Sequence, residues 1–197
     1  GGHIKRTQHY VRTLAEYMAA LPGYQRILSK NMIEMLYLSA PLHDVGKVST
    51  PDAILFKPGR LTPEEFEQMK LHTVHGRDLL FAAEQRLGSD SFLSIAHDIA
   101  YCHHERWDGK GYPRGIREEA IPLSARLMSV ADVYDALASK RVYKPALPHE
   151  KVMEIIREGR ESQFDPHVVD AFIATQETFR DIARHFVDED SLGERER

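Results

Sequence analysis

Helical periodicity constrains the fold of this sequence more than any other feature. Apolar residues recur at the spacing of one helix face, for example at Leu123, Leu127, Val130, Tyr134 and Leu137. No alternating apolar and polar pattern typical of a strand extends over more than a few residues. The sequence therefore predicts an all-α fold, a compact bundle of several helices.

Several segments carry helix start or stop signals. Leu21-Pro22-Gly23 ends the first helix, and a second helix is predicted to run towards His43, with Gly46 ending it. Thr62-Pro63-Glu64-Glu65 combines an N-cap hydroxyl, a proline at the first helical position and a glutamate placed for a capping box. This start predicts a helix that runs to about Leu87. Further helices are expected at 92–104, 122–139, 150–158 and after Asp165-Pro166, and loops at 48–61 and 107–113.

Composition limits the classes of protein to which the chain can belong. A hydrophobic fraction of 42% and a charged fraction of 28% fit a soluble domain with a core. The formal charge of -4 excludes the basic surplus that binding of long nucleic acid requires. No run approaches the roughly 18 apolar residues of a membrane-spanning helix, so no membrane segment is expected. The single cysteine, Cys102, excludes a disulfide scaffold and a thiolate metal cage, and it fits the reducing cytoplasm.

We expect residues 1–186 to form one domain and the charged residues 187–197 to form a frayed tail. A helical pattern starts directly after Gly1, so we expect the chain to be the C-terminal part of a longer regulatory protein. Eleven histidines, which do not form one run, are the unusual feature of the composition. They indicate a site that uses imidazole.

The dipeptide His43-Asp44 is the first candidate for such a site. A neutral imidazole beside a carboxylate offers two metal ligands, and the two carboxylate oxygens can bridge two ions. A helix-terminal histidine beside a solvated aspartate is the alternative. His97-Asp98 is an equally good dipeptide in the middle of a predicted helix, so the pair alone carries little weight.

Three further histidines extend the candidate site. Adjacent residues on a helix diverge by about 100°, so His103 and His104 can serve two ions, or one ion and a substrate. A histidine pair at a fraying helix end, with no role in a site, is the alternative. The glycine-rich loop that follows them, residues 109–113, can shape the wall of a site. His72 lies one turn from His75 on a predicted helix face. Two histidines at this spacing could bind one metal ion together, although we expect His75 to be structural.

The predicted helix at 122–139 adds carboxylates. Asp132 and Asp135 lie one turn apart on a second stripe, which marks either a site or a solvated face. Arg141 and Lys144 follow and can bind phosphate, although a solvated helix end explains them too. Imidazole and carboxylate ligands favour first-row ions such as iron, manganese, nickel or zinc. Since the ligands exceed what one ion needs, the sequence favours a dinuclear hydrolase.

These motifs resemble the HD-GYP family, a branch of the HD metal-phosphohydrolase superfamily. The matching segments are residues 43–47, 103–113 and 132–137, the last leading to Arg141 and Lys144, with Gly2-His3-Ile4-Lys5-Arg6 at the start and 164–166 near the end. The resemblance implies an all-helical, HD-type bundle with a metal centre in its core and the Gly-Tyr-Pro (GYP) loop at the site. It also implies a bacterial enzyme that hydrolyses cyclic di-GMP to pGpG, and often on to GMP, through attack by a hydroxide that bridges two metal ions.

The resemblance assigns a role to each candidate residue. The first ion would be held by His3, His43, Asp44 and Asp132, and Asp44 would bridge to a second ion held by His72, His103 and His104. Lys47 would lie beside the scissile phosphate. Lys47 and Asp44 are the candidate catalytic residues. The substrate-binding residues would be Lys47, Gly111, Tyr112, Arg141 and Lys144. Some members carry a glutamate that could support a third ion; its position falls before Gly1, so two ions are the expected count.

The implied partners are a cyclic dinucleotide, an upstream receiver or sensor domain, and GGDEF-domain cyclases that contact the GYP loop. Two alternatives stay open at this point. One is a hydrolase of the same type that prefers linear dinucleotides such as pGpG, or mononucleotides. The other is a module that senses cyclic di-GMP or docks a cyclase without hydrolysis.

Overall fold

The computed structural model describes residues 1–87, 92–139 and 145–186. Regular structure in these ranges is helical, apart from one isolated bridge between Arg160 and Phe164. The α-helices of the described ranges are α1 (Gly2–Ala19), α2 (Lys30–Ser39), α3 (Asp52–Leu55), α4 (Pro63–Lys70), α5 (His72–Leu87), α6 (Leu93–Cys102), α7 (Leu123–Ala138), α8 (His149–Glu158) and α9 (Pro166–His185). The prediction of an all-α fold is confirmed, whereas the predicted tail at 187–197 lies outside the described residues.

The main core lies where α1, α7, α8 and α9 meet. Its centre is aromatic: the rings of Tyr10 and Phe179 stack with 4.4 Å between centroids, and Tyr134 meets Phe179 edge to face at 5.1 Å. All three side chains are buried. Aromatic pairs contribute about 0.5–1.5 kcal/mol beyond their burial, so α1 and α7 are held firmly against each other. These two helices carry His3 and Asp132.

The predicted helix from Thr62 to Leu87 is two helices, so that prediction was wrong. Its start is as predicted: the Thr62 hydroxyl accepts from the Glu65 N–H at 3.2 Å, and the Glu65 carboxylate accepts from the Thr62 N–H at 2.7 Å. The break comes at Leu71. There His72 Nδ1 donates to the Met69 carbonyl at 2.7 Å, and the Thr73 hydroxyl donates to the next carbonyl at 2.9 Å. Such side-chain bonds compete with a continuous backbone ladder.

The second predicted helix also ends before His43. Helix α2 stops at Ser39, and a 3₁₀ turn at Ala40–Leu42 follows, because Pro41 has no N–H to donate to the ladder. The Tyr37 carbonyl, left without that partner, accepts from the Gln8 side-chain amide at 3.0 Å. The predicted loop at 48–61 is wrong in part, since it contains α3 and the end of a 3₁₀ helix at Val45–Ser49.

The remaining predicted helices appear as α6, α7, α8 and α9, with bounds shifted by one or two residues. Asp165 caps α9 as expected, its carboxylate accepting from the His167 N–H at 2.8 Å. Helices α5 and α6 pack against each other, and α5 also packs against the 3₁₀ helix at Val45–Ser49. This second layer faces α1 and α7 and completes the walls around the candidate ligands.

Candidate metal centre

The predicted ligands come from five separate segments that converge in the interior. They are His3 in the first turn of α1, His43 and Asp44 between two 3₁₀ helices, His72 at the start of α5, His103 and His104 directly after α6, and Asp132 on α7. The ligand atoms of all these residues except Asp132 form two adjacent groups that share Asp44. His75, which we expected to be structural, belongs to neither group.

The first group contains His3, His43 and Asp44, and Asp132 lies beside it. His43 Nε2 lies 3.4 Å from His3 Nε2, 3.4 Å from Asp44 Oδ2 and 3.8 Å from Asp132 Oδ1. The distance from Asp132 Oδ1 to His3 Nε2 is 3.9 Å. Ligands about 2.1 Å from one ion lie about 3.0–3.5 Å apart, so these spacings are close to those of a coordination shell.

The second group contains the other oxygen of Asp44. Asp44 Oδ1 lies 3.4 Å from His72 Nε2 and 3.8 Å from His103 Nε2, and His104 offers a further nitrogen within 4.8 Å. The two oxygens of one carboxylate therefore face two different sets of imidazoles. This is the arrangement in which a carboxylate can bridge two ions.

His103 and His104 contradict the expectation drawn from helix geometry. Adjacent residues were expected to diverge, but both rings offer nitrogens to the same group, and their centroids are 4.0 Å apart. The reason is that α6 ends at Cys102, so the two histidines lie in a turn, where the 100° rule for a regular helix does not apply.

Hydrogen bonds at Nδ1 fix the orientation of four ligand rings. The partners are the Asp135 carboxylate for His3 at 2.8 Å, the Ala40 carbonyl for His43 at 2.8 Å, the Met69 carbonyl for His72 at 2.7 Å, and the Ile99 carbonyl for His103 at 3.0 Å. An imidazole that donates from Nδ1 keeps its Nε2 lone pair for a metal. All four Nε2 atoms point into the shared site.

Three buried polar atoms in this site test whether it fits a metal ion. Asp44 Oδ1, His72 Nε2 and His103 Nε2 are buried, and none has a hydrogen-bond partner in the described part of the chain. A buried polar atom without a partner costs about 1–3 kcal/mol, and three of them converge here. The histidine and aspartate cluster therefore fits a divalent metal ion, which would satisfy all three atoms at once.

The electrostatics of the site also favour metal binding. Burial, together with the charge of His43, lowers the pKa of His103 to about 3, and burial together with the charge of His103 holds the pKa of His104 well below its usual value. Burial alone would raise the pKa of Asp44, but the hydrogen bond and charge of His43 and the charge of Lys47 hold it well below its usual range. Near pH 7, His103 and His104 thus offer neutral imidazoles and Asp44 an ionised carboxylate. Burial alone would lower the pKa of His43, but the hydrogen bond and charge of Asp44 raise it.

Sequence reasoning did not identify Asp135 as part of the site. Its side chain is buried; it accepts the His3 Nδ1–H at 2.8 Å, and Arg6 donates to it at 2.6 and 3.1 Å. The solvated face considered for Asp132 and Asp135 is therefore wrong for Asp135. The spacing of Arg6, one turn after His3, is the signal in the sequence that could have indicated a buried pair on the inner side of α1.

Three of the predicted substrate-binding residues, Lys47, Gly111 and Tyr112, lie in the described part of the chain. Lys47 Nζ is 2.6 Å from Asp44 Oδ2. The Tyr112 ring stacks on His104 with 4.8 Å between centroids, and the peptide bond between Tyr112 and Pro113 is cis. Position 111 has no space for a side chain, since a Cβ on Gly111 would lie 2.4 Å from a backbone nitrogen. Arg141 and Lys144 lie outside the described residues, so their roles stay predictions.

A pocket of about 370 Å³ opens above the cluster. Three of the ligand residues, His103, His104 and Asp132, form its floor. The GYP loop lines one wall and α4 lines another. The pocket gives a small molecule access to the candidate metal site.

Comparison with known proteins places the chain in a family. The HD domain family profile matches residues 2–168. A cyclic di-GMP phosphodiesterase of Vibrio cholerae is 59% identical over 95% of this chain and 38% of that protein, and one of Thermotoga maritima is 42% identical over 83% and 43%. A 3'3'-cGAMP-specific phosphodiesterase 2 of Vibrio cholerae is 36% identical over 91% and 32%. The chain therefore spans less than half the length of these relatives.

Two solved structures share the fold. A cyclic GMP-AMP specific phosphodiesterase of V. cholerae has a TM-score of 0.58 over 92% of this chain and 49% of that chain. An HDGYP protein from Bdellovibrio bacteriovorus has a TM-score of 0.59 over 92% and 52%. Both are 20% identical and support the fold alone. No helix in the described ranges has the length and apolar character to cross a membrane. The profile match across residues 2–168, over a fold that gathers the motif histidines and aspartates around one interior site, shows that this chain belongs to the HD domain family.

Proposed function

We propose that this domain is a metal-dependent phosphodiesterase that hydrolyses cyclic di-GMP to pGpG and then to GMP. The observation that carries the proposal is the position of Asp44, whose two oxygens face two imidazole groups below an open pocket. Relatives that are 41–59% identical and are named cyclic di-GMP phosphodiesterases support the choice of substrate.

The proposed ligand sets are His3, His43, Asp44 and Asp132 for one ion, and Asp44, His72, His103 and His104 for another. These ligands best fit two first-row ions, which would be iron, manganese, nickel or zinc. The proposal is also compatible with a third ion. Bound divalent ions supply Lewis acidity towards a phosphoryl oxygen and lower the pKa of water. The protein contributes the fixed orientation of the rings and a carboxylate that is ionised near pH 7.

Lys47 is the proposed catalytic residue besides Asp44. Its ammonium holds Asp44 Oδ2 at 2.6 Å, while more than a third of its side chain stays exposed. A lysine in this position keeps donors free for an oxygen of the phosphodiester, on which negative charge grows during cleavage. Arg141 and Lys144 are proposed to bind the phosphates, and Gly111 and Tyr112 to form the wall against which the nucleotide lies.

Regulation and location are proposals at the level of the whole protein. Since the relatives are more than twice as long as this chain, we propose that a receiver or sensor domain controls the site. Contact of the GYP loop with GGDEF-domain cyclases and a cytoplasmic location stay predictions.

A chromatographic time course tests the function. Protein loaded with manganese or iron is incubated separately with cyclic di-GMP and with pGpG, and we expect cyclic di-GMP to disappear as pGpG and then GMP accumulate. Loss of pGpG alone would support the linear-dinucleotide alternative. Binding of cyclic di-GMP by a metal-loaded protein that consumes neither compound would support the sensor.

The chain offers a matched control for this experiment. The double variant His43→Ala/Asp44→Ala should lose both turnover and bound metal, because it removes ligands from both groups. His97→Ala/Asp98→Ala alters the same dipeptide on α6, where the two side chains contact each other at 3.2 Å outside the metal groups, and should keep both. Wild-type turnover in the His43→Ala/Asp44→Ala variant would refute the proposal.

A further inference from the structure

Helix α4 places two side chains at the rim of the pocket that none of the proposed metal or phosphate roles uses. Phe66 is 46% exposed although it is a large apolar side chain. Lys70 lies one helical turn further on the same face of α4. Both side chains line the pocket whose floor contains His103, His104 and Asp132.

Phe66, Lys70 and Tyr112 form a cluster. The Phe66 ring meets the Tyr112 ring edge to face, with 6.1 Å between centroids and an interplanar angle of 83°. The Lys70 ammonium lies 5.6 Å from the centroids of both rings. The cluster therefore presents an aromatic corner with a positive charge in it.

Tyr112 connects this corner to the candidate metal site. The Tyr112 ring stacks on the His104 ring with 4.8 Å between centroids. The same ring is in edge-to-face contact with Phe66 on α4. A nucleotide whose phosphate lies over the ligand cluster would thus find the corner beside its base. The corner exists because the chain breaks at Leu71, so that α4 can line the pocket while His72 at the start of α5 reaches the ligand group.

The side chains of this corner are chemically suited to a purine base that carries an exocyclic oxygen, as guanine does at O6. An exposed aromatic ring offers a face on which a base can stack, whatever its identity. An ammonium group is a donor without acceptors, so it pairs with O6 and N7 of guanine, whereas adenine presents an amino donor at the position of O6. Lys70 gives one of its donors to Glu67 at 2.7 Å, which leaves others for a ligand.

We propose that Phe66 and Lys70 form, with Tyr112, a subsite for a guanine base of the dinucleotide, in which Phe66 stacks on the base and Lys70 donates to its O6 and N7. The proposal rests on the proposed function and adds the part of the protein that selects the base. Lys70 is then a specificity-determining residue, and Phe66 a general contact for either purine.

The test compares KM and kcat for cyclic di-GMP and cyclic di-AMP, two substrates that differ in their bases but share their phosphodiester ring. Cyclic di-AMP is measured as a substrate or, where it is not turned over, as a competitive inhibitor. Lys70→Met keeps the length of the side chain and removes its charge, and Phe66→Ala removes the ring. Both residues are partly exposed, and a thermal melt of each variant verifies folding.

The two variants should behave differently. Lys70→Met should raise KM for cyclic di-GMP by about tenfold, the size of a good contact to guanine, with little change in kcat. The constant for cyclic di-AMP should change much less, because adenine keeps the N7 acceptor but has an amino donor in place of O6. Phe66→Ala should weaken the binding of both nucleotides by about tenfold, since an aromatic ring can stack on either base. An effect on KM without one on kcat indicates a contact that is remote from the reacting phosphate.

Matched controls exist elsewhere on the surface. Lys151 on α8 also pairs with a glutamate three residues away, and Phe81 on α5 is an exposed phenylalanine; neither lines the pocket. Lys151→Met and Phe81→Ala should leave both constants unchanged.

Two results would overturn the subsite while the proposed function stands. If Lys70→Met weakens the binding of both nucleotides equally, Lys70 contacts a phosphate rather than a base. If neither Lys70→Met nor Phe66→Ala changes the constants for the two nucleotides, α4 takes no part in substrate binding. Failure of the wild-type protein to turn over cyclic di-GMP would overturn the proposed function itself, and the base subsite with it.

Discussion

The contact between Gly46 and α5 gives the sharpest prediction about the metal centre. A Cβ added at Gly46 would lie 1.9 Å from the His72 carbonyl oxygen and 2.4 Å from the Gly76 nitrogen. Carbon–oxygen contacts in proteins are about 3.3 Å or longer, so the variant Gly46→Ala must move one backbone by more than about 1 Å. Both backbones carry ligands, because Gly46 follows Asp44 by two residues and His72 begins α5.

The size of the effect follows from this overlap. Overpacking a core costs about 1–3 kcal/mol when side chains can adjust, and here the obstacle is backbone on both sides. We expect Gly46→Ala to lower the free energy of unfolding by about 3 kcal/mol, which corresponds to about 6–12 °C in Tm for a domain of this size. The 3.4 Å separation of His72 Nε2 from Asp44 Oδ1 should widen, and metal retention should fall.

Gly76 provides the matched control, since it lies on the other side of the same contact. A Cβ at Gly76 would meet Ala100 Cβ and the Gly46 nitrogen at 3.3 Å, a contact that small shifts can relieve. Alanine is also favoured over glycine inside a helix by about 1 kcal/mol, so Gly76→Ala should change stability by less than about 1 kcal/mol. Calorimetry and metal analysis of both variants check this, and a Gly46→Ala protein with wild-type Tm and metal content would refute the reasoning.

Three further predictions concern the support of the site. Asp135→Asn removes the negative charge from a buried ion pair with Arg6, so it should lower stability by about 3–5 kcal/mol and loosen His3, with metal affinity reduced about 10–100-fold; chemical denaturation and a metal titration measure the two effects. Glu105→Gln alters a buried carboxylate that accepts the Arg114 N–H at 2.7 Å, and it should cost about 1–3 kcal/mol and raise KM as the GYP loop loosens, which melts and initial rates would detect. Removal of bound metal with a chelator should abolish turnover and lower Tm, because an ion present at 100 times its Kd stabilises by about 2.7 kcal/mol; an unchanged melting curve would count against metal binding.

The sequence predicted the fold class and the identity of the clustered ligands better than it predicted the path of the chain between them. Apolar stripes place helices because the periodicity of burial is a property of each segment alone. The break at Leu71 depends on His72 and Thr73 binding carbonyls with their side chains, and a helical pattern contains no sign of it. Asp135 was missed for a related reason: its burial comes from Arg6, which is 129 residues away along the chain.

The ligands that periodicity describes least well are those at helix ends. His43 and Asp44 lie between two 3₁₀ helices, His72 begins α5, and His103 and His104 follow α6. At such ends neighbouring side chains are free of the 100° spacing of a regular helix, so adjacent residues can face one group, as His103 and His104 do. Backbone carbonyls at helix ends also accept from imidazole Nδ1, as at His43, His72 and His103. Helix termination thus supplies both the convergence of the ligands and their orientation, which explains why short motifs, rather than long periodic patterns, carry the information about this site.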